Sequence, residues 1–218
     1  MILKGKNAII YGAAGSMGSA VAKEFAKAGA SLFLTGRNHK SLEALANEII
    51  LQGGKPEVDV VDAFDRTAIE SHIEKISKRC TVDISFNATG IDVIQDVPLV
   101  KLDVADFVEP IKRTMETQFL TTTAAARIMI EQRSGVILSL TATPGGIGYP
   151  LTGGFAASCC ALESFSRNLA SELGPYGIRV VNIRSAGSPD SRIFKEALAS
   201  YPEVMDKVLQ EMQNDTML

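Results

Sequence analysis

Short apolar runs alternate with stretches whose apolar residues return every three or four positions, and this alternation governs the chain to about residue 184. Residues 7–11, 31–35, 57–61, 83–87, 135–141 and 178–184 have the length and apolar content of buried strands. Between them lie helix-period segments. Residues 17–28 carry Val21 and Phe25 on one face, residues 41–51 carry Leu42, Leu45 and Ile49, and residues 66–80 carry Ile69, Ile73, Ile76 and Cys80. A long helix over 104–132 is expected to bend near Pro110, because proline removes a backbone donor. A further helix over 154–173 is stopped by Gly174-Pro175. Strands separated by helices pair in parallel through right-handed crossovers, so the expected fold is α/β, a three-layer doubly wound sheet. No linker or internal repeat divides the chain, which reads as one domain over 1–218.

Composition narrows the function classes. The chain has 218 residues, 46% apolar and 22% charged, with net charge −3 and no dense Lys/Arg block, which argues against a nucleic-acid partner. No apolar run approaches the ~20 residues of a membrane span. Cys80, Cys159 and Cys160 have no metal-ligand spacing, so no metal is expected, and their odd number suits a reducing compartment. The chain enters its first strand almost at once, leaving no room for a signal peptide, so a cytoplasmic location is expected.

The candidate chemistry begins at the turn after the first strand, Gly12-Ala13-Ala14-Gly15-Ser16-Met17-Gly18. Small residues let backbone N–H groups approach a pyrophosphate, and the next helix presents its positive end to it. Gly12, Ala14, Gly15, Ser16, Met17 and Gly18 are therefore candidate cofactor residues. The second strand runs into Thr35-Gly36-Arg37-Asn38-His39-Lys40. A carboxylate at this point would accept from an NAD ribose; an arginine suits a 2′-phosphate, so Arg37, with Asn38 beside it, favours NADP(H) over NAD(H). His39 could touch the same phosphate, and His39 and His72 both read as solvent-facing. Asp62 closes the third strand, where it either meets the adenine amine or caps the following loop. Asn87-Ala88-Thr89-Gly90 closes the fourth at the carboxyl edge where ligands bind in open α/β sheets, making Asn87, Ala88 and Gly90 cofactor candidates.

Taken together, these motifs resemble the short-chain dehydrogenase/reductase family over residues 1 to about 190. Gly12–Gly18 is similar to its Thr-Gly-x-x-x-Gly-x-Gly turn, with Tyr11 for the threonine and Ser16 for the middle glycine. Asn87-Ala88-Thr89-Gly90 is similar to Asn-Asn-Ala-Gly, and residues 170–180 to the stretch before the sixth strand. Ser185-Ala186-Gly187 stands at its Pro-Gly, which adds Ala186 and Gly187 to the cofactor residues. The resemblance implies a Rossmann fold, a small-molecule substrate, a homodimer or homotetramer built on the two long helices, and a helical substrate lid over 188–218. It also implies a seventh strand, and nothing after Met212 reads as one: either the chain is truncated or the last sheet position is missing.

The family's reaction needs a tyrosine acidified by a lysine four residues later, a serine on the substrate oxygen and an asparagine supporting a water relay. Matched to that pattern, Phe155 replaces the tyrosine, Cys159 the lysine, Ala142 the serine (Thr141 if the loop is shifted by one) and Thr114 the asparagine. Residues 113–194 contain no lysine. The usual relay is absent. Tyr149 could donate a proton instead, or serve as an apolar lid residue; solvent and Thr141 are the other proton sources. Cys159 and Cys160 are either nucleophiles or packed thiols, and Glu163 and Arg167, at i+4 spacing, form a surface or interface pair. Ala142, Pro144, Ile147, Leu151 and Phe155 would line an apolar substrate site. Two functions follow: an NADP(H)-dependent oxidoreductase of a small carbonyl or activated alkene with an atypical proton source, or a catalytically silent nucleotide-binding sensor or partner subunit.

Overall fold

The computed structural model describes residues 1–185 and, beyond them, Lys195, Leu198, Ala199, Pro202, Asp206, Leu209 and Gln210, all helical. Ala186, Gly187 and most of the expected lid over 188–218 lie outside the described residues. The element order is β1 (Asn7–Tyr11), α1 (Ser16–Lys27), β2 (Ser31–Gly36), α2 (His39–Leu51), β3 (Lys55–Val60), α3 (Arg66–Ser77), β4 (Ile84–Asn87), α4 (Val104–Gln132), β5 (Gly135–Ala142), α5 (Gly154–Leu173) and β6 (Ile178–Ser185). All six strands are parallel, in the order β3-β2-β1-β4-β5-β6. No seventh strand occurs among the described residues. The chain leaves β1 toward β2 on one side and returns to β4 on the other, which opens a crevice at the carboxyl ends of β1 and β4.

Side-chain alternation divides the apolar residues between the two sheet faces. Ala8 and Ile10 of β1 pack with Leu32, Leu34, Leu42, Leu45 and Ile49 under α1 and α2. Ile9 and Tyr11 pack with Ile69, Ile73, Ile76, Ala125, Met129 and Leu169 under α3, α4 and α5. Most differences from the sequence pattern are at element ends. The third strand starts at Lys55, two residues early, and accepts Pro56 opposite Leu32 because β3 is a sheet edge whose outer N–H groups need no partner. Helix α3 stops at Ser77, so Cys80 lies beyond it, with its thiol on the Ile76 carbonyl at 3.7 Å. Helix α4 runs through Pro110 without interruption.

His72 is a correction. It is 5% exposed, on the buried shoulder of α3 between Ile69 and Ile76, not on the solvent face. Its Nε2 lies 3.5 Å from Asp59 Oδ2, too long for a strong hydrogen bond, and its Nδ1 is unpartnered. Burial lowers its pKa, Asp59 opposes that shift, and Lys75 adds to it.

Candidate cofactor and active site

The glycine-rich turn exposes backbone ahead of the first turn of α1. Ala14, Gly15 and Ser16 are exposed, and Gly15, the N-cap of α1, offers no side chain to the first-turn N–H groups. The turn is fixed from both flanks: Ala13 N–H donates to the Thr35 carbonyl at 3.0 Å, and Ala88 N–H to the Tyr11 carbonyl at 2.9 Å. Two of its glycines are required by close approach. Gly12 has φ +69° and a Cβ there would stand 2.8 Å from the Ala88 carbonyl; a Cβ on Gly18 would collide with the Gly12 carbonyl. These residues fit a dinucleotide pyrophosphate on the observation of an uncapped helix end over an exposed backbone turn.

Arg37 is exposed just after β2 and makes no ion pair among the described residues. Asn38 caps α2, its Oδ1 accepting from Ser41 N–H at 3.0 Å. His39 is exposed and 3.4 Å from Glu43. Asp62 accepts from Phe64 N–H at 3.0 Å, so it orders its own loop. Across that loop, Arg113 of α4 places its guanidinium carbon 4.2 Å from the Phe64 ring centroid, joining α4 to the end of β3.

Asn87 is 3% exposed and held rigidly. Its Nδ2 donates to Thr121 Oγ1 at 2.9 Å and Thr117 Oγ1 at 3.4 Å, while its Oδ1 accepts from Thr89 N–H at 2.9 Å. Gln118 extends the same polar row, accepting from Ser139 Oγ at 3.2 Å. Sequence pattern alone does not single out Thr117, Gln118, Thr121 and Ser139. The available signal was a polar stripe at i, i+1 and i+4 inside a helix that otherwise buries alanines. Thr114 lies one turn before Thr117, whose hydroxyl donates to its carbonyl at 3.4 Å.

The structure brings together Ala142 and Cys159, two of the residues that the sequence match sets at the family's catalytic positions. Cys159 is buried; desolvation raises its thiol pKa, and the Ala142 backbone N–H, which hydrogen-bonds the sulfur, only partly opposes this. It is a packed thiol, not an activated one. Cys160 is exposed, its sulfur 3.2 Å from the Gly145 carbonyl. Phe155, in the first turn of α5, accepts at its carbonyl from Ser158 Oγ at 2.7 Å and carries no exchangeable side-chain proton. Tyr149 is 50% exposed on the loop between β5 and α5, with Ile147 at 59% and Leu151 at 42%. That loop meets the one after β4, since Asp96 N–H donates to the Leu151 carbonyl at 2.9 Å.

Glu163 departs from expectation. It does not form a surface pair with Arg167 but is 7% exposed and faces β5 and β6. Oε1 accepts from Thr141 Oγ1 and Arg184 Nε, each at 3.0 Å, and Oε2 from Arg184 Nη2 at 2.5 Å. The Arg184 contact holds the Glu163 pKa below the ordinary glutamate value. Thr141 is 3% exposed and its hydroxyl is committed to Glu163. Among the described residues no His/Cys/Asp/Glu group could hold a metal ion, and no helix is long and apolar enough to cross a membrane.

Comparison with known proteins agrees with this geometry. The family model for short chain dehydrogenases matches residues 6–201. A short chain dehydrogenase of Pseudocercospora fijiensis is 30% identical over 223 residues, covering 97% of this chain and 70% of that protein. The 3-oxoacyl-[acyl-carrier-protein] reductase of Thermotoga maritima is 30% identical over 181 residues, covering 83% and 73%. The crystal structure of levodione reductase superposes with a TM-score of 0.83 at 26% identity, covering 96% of this chain and 82% of that one. The chain belongs to the short-chain dehydrogenase family, whose members are oxidoreductases that bind NAD(P).

Proposed function

We propose that this short-chain dehydrogenase binds NADP(H) in preference to NAD(H) and reduces a small, apolar carbonyl compound or activated alkene, with a proton source other than the family's tyrosine. The observation that carries this reading is the intact cradle: a backbone turn over an uncapped helix end, with an unpaired Arg37 and no carboxylate beside it. The reductase name of the Thermotoga maritima relative supports the direction of the reaction.

When bound, NADPH supplies the hydride, and the chain's own residues bind and orient. Gly12–Gly18 would hold the pyrophosphate, Arg37 and Asn38 would meet the adenosine end, and Asn87, Ala88 and Gly90 would flank the nicotinamide side. The proton comes from solvent or from the exposed Tyr149, since Thr141 is held by Glu163. Copies of the chain assemble through the outer face of α4 and α5, where Phe119 is 47% exposed and its ring lies 6.1 Å from Phe165. A cytoplasmic location accords with three free cysteines. NADPH consumption across a panel of carbonyls and activated alkenes is the test. A second reading, a silent NADP(H)-binding sensor or partner subunit, is favoured by Ala142, Phe155 and Cys159; tight cofactor binding with no turnover of any compound would select it.

A further inference from the structure

Below the catalytic positions, where α5 passes β6, lies an open cavity of about 230 Å³ lined by Glu163, Arg167, Asn182 and Arg184. Among the described residues its acidic group is Glu163, which is already engaged. Glu163 takes three donors, one from Thr141 and two from Arg184. That leaves the described lining richer in donors than in acceptors. Arg184 has spent Nε and Nη2 on Glu163, and its Nη1 lies beside Gly146. Asn182 receives the Ser166 hydroxyl on Oδ1 at 3.0 Å, which orients its amide and leaves Nδ2 free to donate. Arg167, one helical turn beyond Glu163, is exposed; it acts on Glu163 through charge and makes no side-chain hydrogen bond or close ion pair among the described residues.

Among the described lining residues, two guanidinium groups and an amide, with one carboxylate, carry a net positive charge. One guanidinium is pinned by a buried acid and the amide by a buried serine, so little ordering is left for a ligand to impose. We propose that this cavity is an oxyanion site, taking the carboxylate or phosphate group of a small molecule between Arg167, Asn182 and Arg184. It is separate from the cofactor cleft and does not depend on cofactor choice. Occupation would reach the active site through a short path. Arg184 lies against Gly146, and Glu163 and Cys159 both lie against Gly145, so an anion drawing on Arg184 acts on the loop after β5.

The test is calorimetric titration of the full chain with inorganic phosphate and, separately, with acetate, at low ionic strength and with saturating NADP+ present. The expected result is one saturable site for at least one anion. Arg167→Ala should weaken it at least tenfold and Arg167→Glu abolish it, with the thermal melt unchanged in both; Asn182→Ala should weaken it less. Binding of phosphate alone assigns a phosphate ester, and of acetate alone a carboxylate; either supports the site. Three results overturn it: no saturable binding of either anion, binding indifferent to Arg167→Ala, or binding lost instead in Arg37→Ala, which would place the anion in the cofactor cleft.

Discussion

The buried imidazole of His72 stands 3.5 Å from the carboxylate of Asp59 without a close hydrogen bond, and burial disfavours its charged form. Its folded pKa is depressed below the ordinary value of 6.5, with Lys75 and Arg79 adding to the effect of burial and Asp59 opposing it. The unfolded chain therefore binds the proton first. Stability from this residue is complete above about pH 6.5 and falls as pH drops below it, by at most about 1.4 kcal/mol per pH unit. Thermal melts should fall more steeply between about pH 7 and pH 5 in the unmodified protein than in His72→Gln. Parallel curves for the two proteins would show that His72 does not titrate on unfolding.

Gly18 leaves no room for a side chain, because a Cβ would run into the Gly12 carbonyl and the Ala13 backbone. Gly18→Ala must push the turn outward, at about 1–3 kcal/mol of strain. The expected outcome is a lower melting temperature together with weaker NADPH binding by fluorescence titration. Gly53→Ala, at positive φ with open space around it, should lower the melt and leave cofactor affinity intact. Equal cofactor loss in both variants would remove the special role of the turn.

The sheet was legible in the sequence because its periodicity is strong: β1, α4 and α5 fall where the pattern puts them. Short-range chemistry was legible too, since the glycine turn and Asn87 sit at strand ends that local pattern locates. Long-range pairing was not. Glu163 and Arg167 are neighbours at helical spacing, yet Glu163 turns inward because β6 delivers Arg184 from 21 residues away. His72 reads as polar, but its place beside Ile73 and Ile76 on α3 buries it. The row from Asn87 through Thr117 and Gln118 to Ser139 joins three elements, and no single window of sequence contains it.

Arg37 should set the cofactor preference. Removing a charge-assisted contact to a phosphate costs about 1.5–3 kcal/mol, or roughly tenfold or more in affinity. Arg37→Asp should bring NADPH affinity down to that of NADH or below, with NADH binding little changed. Equal affinities for the two cofactors in the unmodified protein would end this assignment.

Phe119 and Phe165 meet on the outer face of α4 and α5, with Phe119 nearly half exposed. A buried partner surface there should tolerate no charge. Light scattering is expected to give a dimer or tetramer at micromolar concentration, and Phe119→Glu to shift it toward monomer. A monomeric unmodified protein would contradict this placement.

The decisive variant restores the relay. Phe155→Tyr returns an ionisable hydroxyl, Ala142→Ser a donor to the substrate oxygen, and Cys159→Lys the cation that lowers the tyrosine pKa. Each alone should give little, because members of a proton relay act as a unit. The lysine faces a specific obstacle. Cys159 is packed against Gly145, with Glu163 one turn along the helix, so a new ammonium could be captured by that carboxylate and draw it from Arg184. Combining the triple change with Glu163→Gln removes this competitor, and a thermal melt alongside the assay separates misfolding from inactivity. Ketone reduction should rise from negligible to measurable in the folded triple or quadruple variant, while NADPH affinity stays within a few-fold of the starting protein. Brisk ketone reduction by the unmodified protein, abolished by Tyr149→Phe, would instead identify Tyr149 as a working acid and show that no restoration was needed.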